Sequence, residues 1–462
     1  MITYQDYEQA TNKLEFLSAA ISKHRASAEY GVAVAADAYD RQKNVTIHQV
    51  VKLYNGMPDA EGADHRIASN FFNRLNTQRC AYLLGNGVSF TRKEKRVNAE
   101  NVAVDVDVTK EQLGPGFDTA LMEWGYMALI HGVCFGFWNY DRLLVFPLTQ
   151  FVPFWDEETG ALRAGLRFWR LDGERPLRAE LYEVDGYTAY RAPAGTVGWN
   201  LEQIAPKQAY IQRVAQTAAD GERVLEGINY PGLPVIPMWG SRLKQSTLVG
   251  MRGGIDAYDL IQSGFANDLE DCAQIYWLIQ NAGGMTQEDL KTFLDDIKHR
   301  HVAQVDTTGF DGEPRGALSP YVQDVPYQGR GAFLAQMRAQ IYEDFGALDV
   351  HAVAAGSTND HIDAAYQSMD EQADQFEYQV IEAVQGVLRL MGIEDTPQFR
   401  RNRISNVREQ VEAVMLEANY LDTETVLRLL PNITVDMVPG ILARLDRENA
   451  DRIEMTTPVQ ED

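Results

Sequence analysis

A chain of 462 residues, 45% apolar and 23% charged, is globular and too long for one ordinary core, so roughly two to four domains are expected. Forty-two Lys plus Arg face 66 Asp plus Glu, and the net charge of −24 argues against a protein that grips nucleic acid by neutralising phosphates. Cys80, Cys134 and Cys272 are too few and too scattered for a disulfide framework or a zinc site. The N-terminus, MITYQDYEQATNKLEFL, lacks the basic-then-apolar pattern of a signal peptide, and no run reaches the roughly 18 apolar residues that span a bilayer. A soluble protein is expected.

Residues 3–60 read as helical, with breaks near Gly31 and at Gly56–Pro58. From His65 a helix is predicted with Ile67, Phe71, Leu75 and Leu83 on its apolar face, ending at Gly85-Asn86-Gly87 before a short strand. A further helix covers 114–131, centred on Leu121, Trp124 and Leu129. From 132 to about 240 the texture changes to short β-branched and aromatic runs between Asp-Gly, Thr-Gly and Pro turns, the pattern of an antiparallel sheet. NYPGLPVIPMW (229–239) reads as a stiff proline hinge rather than an element.

Two helical arms follow. Along 255–282, Tyr258, Ile261, Phe265, Leu269, Cys272, Ile275 or Tyr276, and Ile279 keep helical spacing, while Asp259, Ser263, Asn267, Glu270 and Gln274 form a polar face expected to be wet. The second arm, about 329–348, repeats the pattern with Phe333, Met337, Ile341 and Phe345. Between the arms lies a polar insert with one predicted helix (TQEDLKTFLDDIKHR), a strand candidate at Val302–Val305 and a Gly/Pro-rich loop. DVHAVAAGSTND then breaks the period before a long helix through Ile362, Tyr366, Met369, Phe376, Val380, Val384, Leu388 and Met391. A last helical block spans 403–450, with starts at Ser405, at Asp422 or Thr423, and near Thr434. The fold class is α+β, mainly helical.

Catalytic signatures are missing. GNGVSFTRK (85–93) has no Gly-Lys-Ser/Thr to cradle phosphate, and Gly85 and Gly87 read as a helix stop and turn. There is no G-x-S-x-G elbow and no H-E-x-x-H; His299-x-His301 alone does not complete a metal site. Lys298, His299, Arg300 and His301 read as a solvated basic patch at a helix end and a candidate docking surface. Asp156/Glu157/Glu158 and Asp295/Asp296 suit turns and exposed helix rather than acid–base work. The aromatic cluster of the sheet region lacks interleaved cations, so it reads as core and interface rather than a base-stacking platform. No cofactor and no catalytic or metal-binding residue is expected.

The order of several segments resembles the portal proteins of tailed double-stranded DNA bacteriophages, of the siphovirus type. NRLNTQRCAYLLGNGVSF resembles that family's helix leading into a Y-L-L-G turn, and WGYMALIHGVCFGFWNYD with VFPLTQFVPFWDEETGALRAGLRFW resembles the start of its wing sheet. The best-marked stretch pairs a g-x-P-v-I-P element with l-I-D-a-y-n … S-x-x-x-N-d-l-e-D. Here these fall on Pro234, Ile236 and Pro237, then Ile255, Asp256, Ala257, Tyr258, Ser263, Asn267, Asp268, Leu269, Glu270 and Asp271. FRRNRISNVREQVEAVML resembles the family's approach to the crown.

The resemblance implies a homo-oligomeric ring, of about twelve copies, around a central channel. Its parts would be a wing at 1–254, including the sheet 132–240; stem helices at 255–282 and 327–348; and a clip at 283–326. A tunnel loop would follow at 349–358, then a long wing/crown helix at 359–393 and a crown at 394–462. The tunnel loop facing DNA would consist of Asp349, Val350, His351, Ala352, Val353, Ala354, Ala355, Gly356, Ser357 and Thr358. Arg330 and Arg338, about two helical turns apart, are candidates for sparse lumenal cations, with exposed or salt-bridged arginines as the alternative. The cluster Lys298 to His301 would dock partners. Implied partners are the duplex passing through, the terminase large subunit, the head–tail connector, and the major capsid and scaffolding proteins, with no membrane. The protein would sit at the capsid vertex of the virion after assembly in the host cytoplasm. Rival readings of the same chain are an α+β hydrolase using an acidic pair and a cytosolic helical scaffold with no nucleic-acid role.

Overall fold

The computed structural model describes residues 2–49, 53–54, 57–58, 63–97, 103–172, 174–193, 199–217, 223–272, 276–280, 286, 288, 291, 317–321, 327–349, 359–402, 407–434 and 437–456. The chain divides into two compact units. One comprises 1–43, 70–253 and 340–462; the other comprises 44–69 and 254–339. The segment 44–69, placed with the wing on sequence grounds, therefore groups with the arms and insert.

In the larger unit, aromatic burial organises two antiparallel sheets. The strands Phe151–Trp155, Leu162–Trp169, Leu177–Glu183, Gly186–Ala192 and Glu202–Gln203 form a five-stranded meander in chain order. Val133–Asn139 is the centre of a three-stranded sheet between Arg142–Pro147 and Val235–Trp239. Phe135 meets Phe151 at 4.3 Å between ring centroids, and Phe137 meets Tyr182 at 4.9 Å. Most of these aromatics are core, but Tyr140 is exposed and the expected lack of cations does not hold, because Arg167 lies 4.2 Å from the centre of the Phe146 ring and 4.4 Å from that of Trp169. One face of the meander packs Val152, Phe154, Leu166, Phe168 and Leu181 against Leu17 and Ile21 of the Lys13–Arg25 helix.

The Phe117–His131 helix forms the other core with Phe71–Leu84 and the long helix Asn359–Met391. Trp124 is fully buried, donates its indole N–H to the Cys134 carbonyl at 3.0 Å, and lies on Gly136. Gly125 lets Leu84 and Phe376 close over the helix, since a Cβ there would meet Leu84 Cδ1 at 2.8 Å. The long helix buries Tyr366, Met369, Phe376, Val380, Val384 and Leu388, the stripe its period predicts.

Four expectations need correction. Gly31 does not break a helix: it lies inside Ala28–Asp40, and the break falls at Ala26–Ser27, where Ser27 Oγ caps the next helix by accepting from Tyr30 N at 3.2 Å. Residues 65–70 are not helical, and the helix begins at Phe71. The proline connector is in part an element. Val235–Trp239 pairs with Val133–Asn139, Pro237 opposite Phe135. It is an edge strand, the one position where a residue without an N–H costs the ladder nothing. The first arm begins earlier, at Leu248, and stops at Cys272; Tyr276–Gln280, read as helical, pairs instead with Ala317–Tyr321, which was read as loop. The run YWLIQ is aromatic and β-branched, and pairing across the insert outweighs its helical period.

His24 gives the larger unit a measurable pH response. Its ring nitrogen Nε2 lies 2.8 Å from the Leu148 carbonyl, between the Tyr30 and Phe168 rings, and burial pushes its pKa below 6.5. The folded state thus takes up a proton less readily than the unfolded chain. Stability contributed by the neutral ring is present above pH 6.5 and is lost as pH falls from there through the lowered folded value. A His24→Gln variant should show a flatter dependence of unfolding free energy on pH below about 6.5 than the parent.

Candidate functional site

The candidate channel loop is rooted where the second arm ends. The Tyr327–Phe345 helix buries Ile341, Tyr342 and Phe345 in its last turn, while Phe333 is exposed, so the apolar stripe faces the core only at that end. The helix stops at Gly346, whose φ of +66° and hydrogen bonds Gly346 N to Glu343 O and Ala347 N to Tyr342 O close the last turn. A Cβ at Gly346 would lie 2.9 Å from Gln372 Cγ and 3.0 Å from Ser368 Oγ of the long helix. Gly346→Ala combines that crowding with a left-handed backbone and should cost about 2 kcal/mol in denaturant unfolding.

The Phe71–Leu84 helix supplies the seat. Arg79 places its guanidinium 3.9 Å from the centre of the Phe345 ring and donates to the Phe345 carbonyl at 2.5 Å; Gln78 donates to the Leu348 carbonyl at 3.0 Å. Burial lowers the Arg79 pKa to about 10. Tyr82 stacks on Tyr366 with centroids 5.6 Å apart, and its hydroxyl donates to Asp370 at 2.5 Å. Leu348, Tyr366, Met369 and Ala373 close around Tyr82. Leu348, just before the 349–358 connection, and Tyr366, about two turns into the helix after it, thus pack on one helix. Arg401 bonds Asp370, Asp374 and Glu377 of the long helix, adding a third segment to this cluster.

In the smaller unit, the residues of the best-marked motif do something their pattern did not suggest. Asp259, Ser263 and Asn267, predicted to face water, are buried. Segment 63–69 runs extended along them. Asp259 Oδ1 accepts from Ser69 N at 2.9 Å, Ser263 Oγ from Ile67 N at 2.9 Å, and Asn267 Oδ1 from His65 N at 2.6 Å. Four helical residues rise about 6 Å and two extended residues about 6.7 Å, so each helical turn meets every second amide. The helix face acts as the partner edge of a strand. Asn44 adds a bond to Asp259 Oδ2 at 2.8 Å, Thr46 one to Asp256 at 2.9 Å, and His65 Nε2 approaches Glu270 at 2.5 Å. Leu269, expected on the buried face, is exposed. The signal was present as short polar side chains repeated every four residues, a spacing that suits backbone capture as well as solvation.

Of the residues singled out in the sequence, Val350 to Thr358 and Lys298 to His301 lie outside the described residues. Asp349 is described and half-buried at the end of the Leu348 anchor. Arg330 is not a free cation: it pairs with Asp268, and its guanidinium lies 5.8 Å from the Phe265 ring centre. Arg338 is half-buried and also engaged. Asp156 organises a turn, accepting from Glu158 N, Thr159 N and the Thr159 hydroxyl, bonds that hold its pKa near 2, and Glu157 and Glu158 are exposed beside it. Cys80 is buried, with its thiol pushed up to about 12 by burial, and Cys134 is buried too. Among the described residues no cluster of three His, Cys, Asp or Glu could hold a metal ion, and no helix is long and apolar enough to cross a membrane.

The family "Phage portal protein, SPP1 Gp6-like" matches residues 35–455. The chain belongs to this portal family. A portal protein of Clostridium phage phiCD119 is 26% identical over 211 residues, a match covering 44% of this chain and 46% of that protein's length. A solved chain titled "Neck of empty GTA particle computed with C6 symmetry" aligns with a TM-score of 0.43 at 10% identity, covering 78% of this portal-family chain and 90% of its own. The family match runs through the loop root, the polar ladder and the long helix, so these features belong to the portal region of the chain. Membership implies a component of the phage virion.

Proposed function

We propose that the chain assembles into a closed ring of about twelve copies at one capsid vertex, the channel through which double-stranded DNA is packaged and later ejected. The observation that carries this reading is the family match across 35–455, which takes in both arms, the insert between them, the loop 349–358 and the long helix in one order. In this reading 255–282 and 327–348 form the stem, 283–326 the clip, 349–358 the tunnel loop and 394–462 the crown, with the sheets in the wing. The excess of 24 negative charges suits a duct, since acidic walls repel a polyanion and keep it moving while dense cations would hold it.

The clip, with Lys298, His299, Arg300 and His301, docks the terminase large subunit during packaging and the head–tail connector afterwards. Capsid and scaffolding proteins surround the wing. The chain itself carries out no catalysis, and the motor is a separate subunit. The pairing of Arg330 with Asp268 supports the salt-bridged alternative for that residue. An infection in which this chain is not made tests the proposal. Heads without DNA are the expected product, and heads filled to the normal genome length would overturn it.

A further inference from the structure

We infer that Arg79 is the positioning residue of the 349–358 loop, fixing where the chain leaves the second arm; the functional weight of this inference rests on the portal reading above. The Phe71–Leu84 helix could seat the end of the arm by apolar packing alone, through Phe71 against Tyr342 and Tyr82 beside Leu348. It instead places a guanidinium there, with burial lowering its pKa and no carboxylate paired with it among the described residues. Arg79 is half-buried, and a partly desolvated cation without a counter-charge is costly unless its donors are used. The Arg79 guanidinium meets the negative end of the arm helix, bonding the Phe345 carbonyl at 2.5 Å while lying 3.9 Å from the centre of that residue's ring. Gln78, its neighbour on the same helix, holds the Leu348 carbonyl three residues further on.

The two side chains bracket Gly346, where the chain turns through the left-handed region. Together they fix the direction of the backbone as well as its depth. An apolar residue at 79 would fill the space but leave the last carbonyl of the helix without a donor. The arm could then end a residue earlier or later, and the loop would start in a different place.

Hydrogen exchange on assembled rings of the full chain, with Arg79→Met and Arg79→Lys, tests this. Met keeps the length and apolar stem of the side chain but no donor; Lys keeps the charge and a donor. Arg79→Met should accelerate exchange of the 345–349 amides at least about tenfold, the order a charge-assisted hydrogen bond is worth, with peptides from 162–192 unchanged. Arg79→Lys should recover part of the protection. Unchanged exchange at 345–349, or equal acceleration throughout the chain, would overturn the inference. If Arg79→Met does not fold, Gln78→Ala must still accelerate the same amides, and its failure to do so counts equally against the pair. Packaged genome length separates the two layers. Accelerated exchange with full-length genomes leaves Arg79 as the positioning residue and removes the loop from the DNA path.

Discussion

An Ala355→Arg variant is expected to assemble as the parent does and to yield heads whose DNA falls far short of full length. Residues 349–358 contain one carboxylate, Asp349, one histidine, His351, and no Lys or Arg. In the proposed ring, a single arginine per copy would become a ring of about twelve cations at one level of the channel. Each phosphate it neutralises adds affinity through counterion release, and the duplex would be held where it should slide. In the same reading the bulk of the side chain would narrow the constriction. Because Phe345, Leu348 and Tyr366 are anchored on the Phe71–Leu84 helix and lie outside the loop, the substitution should leave those anchors intact. Genome length measured by gel electrophoresis of packaged DNA reads the effect. A full-length genome would show that these residues do not line the constriction. Higher salt should partly relieve the block if charge causes it and leave it unchanged if bulk does.

Asp259→Ala should have the largest effect on the smaller unit, lowering its stability by about 3 kcal/mol, because it strands the Ser69 N–H and removes the partner of Asn44 Nδ2. Ser263→Ala, which loses the Ile67 N–H, should cost about 1 kcal/mol. If the polar face were solvated, both changes would fall within about 0.5 kcal/mol in denaturant unfolding. The pH dependence is a second signature. Burial raises the Asp259 pKa above 3.8, against the opposing bonds from Ser69 and Asn44, and the Asp256 charge adds to the rise. The folded state therefore binds this proton more tightly than the unfolded chain does. The contribution is greatest below pH 3.8 and declines as pH rises through the raised folded value, opposite in sign to that of Asp156. Asp259→Asn should remove this component.

Helical period identified the long helix and its buried stripe from Tyr366 to Leu388 because one periodic signal, sustained over many turns, has a single structural solution. The aromatic runs with Asp-Gly and Thr-Gly turns placed the sheets for a similar reason. What could not be read was which partner each face meets. Asp259, Ser263 and Asn267 look like a solvated face until a strap of backbone 190 to 202 residues away in the chain supplies their donors. Val235–Trp239 looks like a hinge because proline is judged locally, whereas the edge position that tolerates Pro237 exists only after the sheet forms. Tyr276–Gln280 kept a helical phase with the arm before it, and only its distant partner Ala317–Tyr321 makes it a strand. The loop root was legible in part: the break after Phe345 and the small residues beyond it were plain, but nothing in the sequence joined Arg79 to Phe345.

Assembly into a closed ring is the central requirement of the portal reading. The direct measurement is low-dose electron microscopy of the purified chain, with native mass spectrometry to count copies. Closed rings of about twelve copies with an open central channel are expected. A chain that remains monomeric or dimeric at the concentrations and salt conditions tried would contradict it.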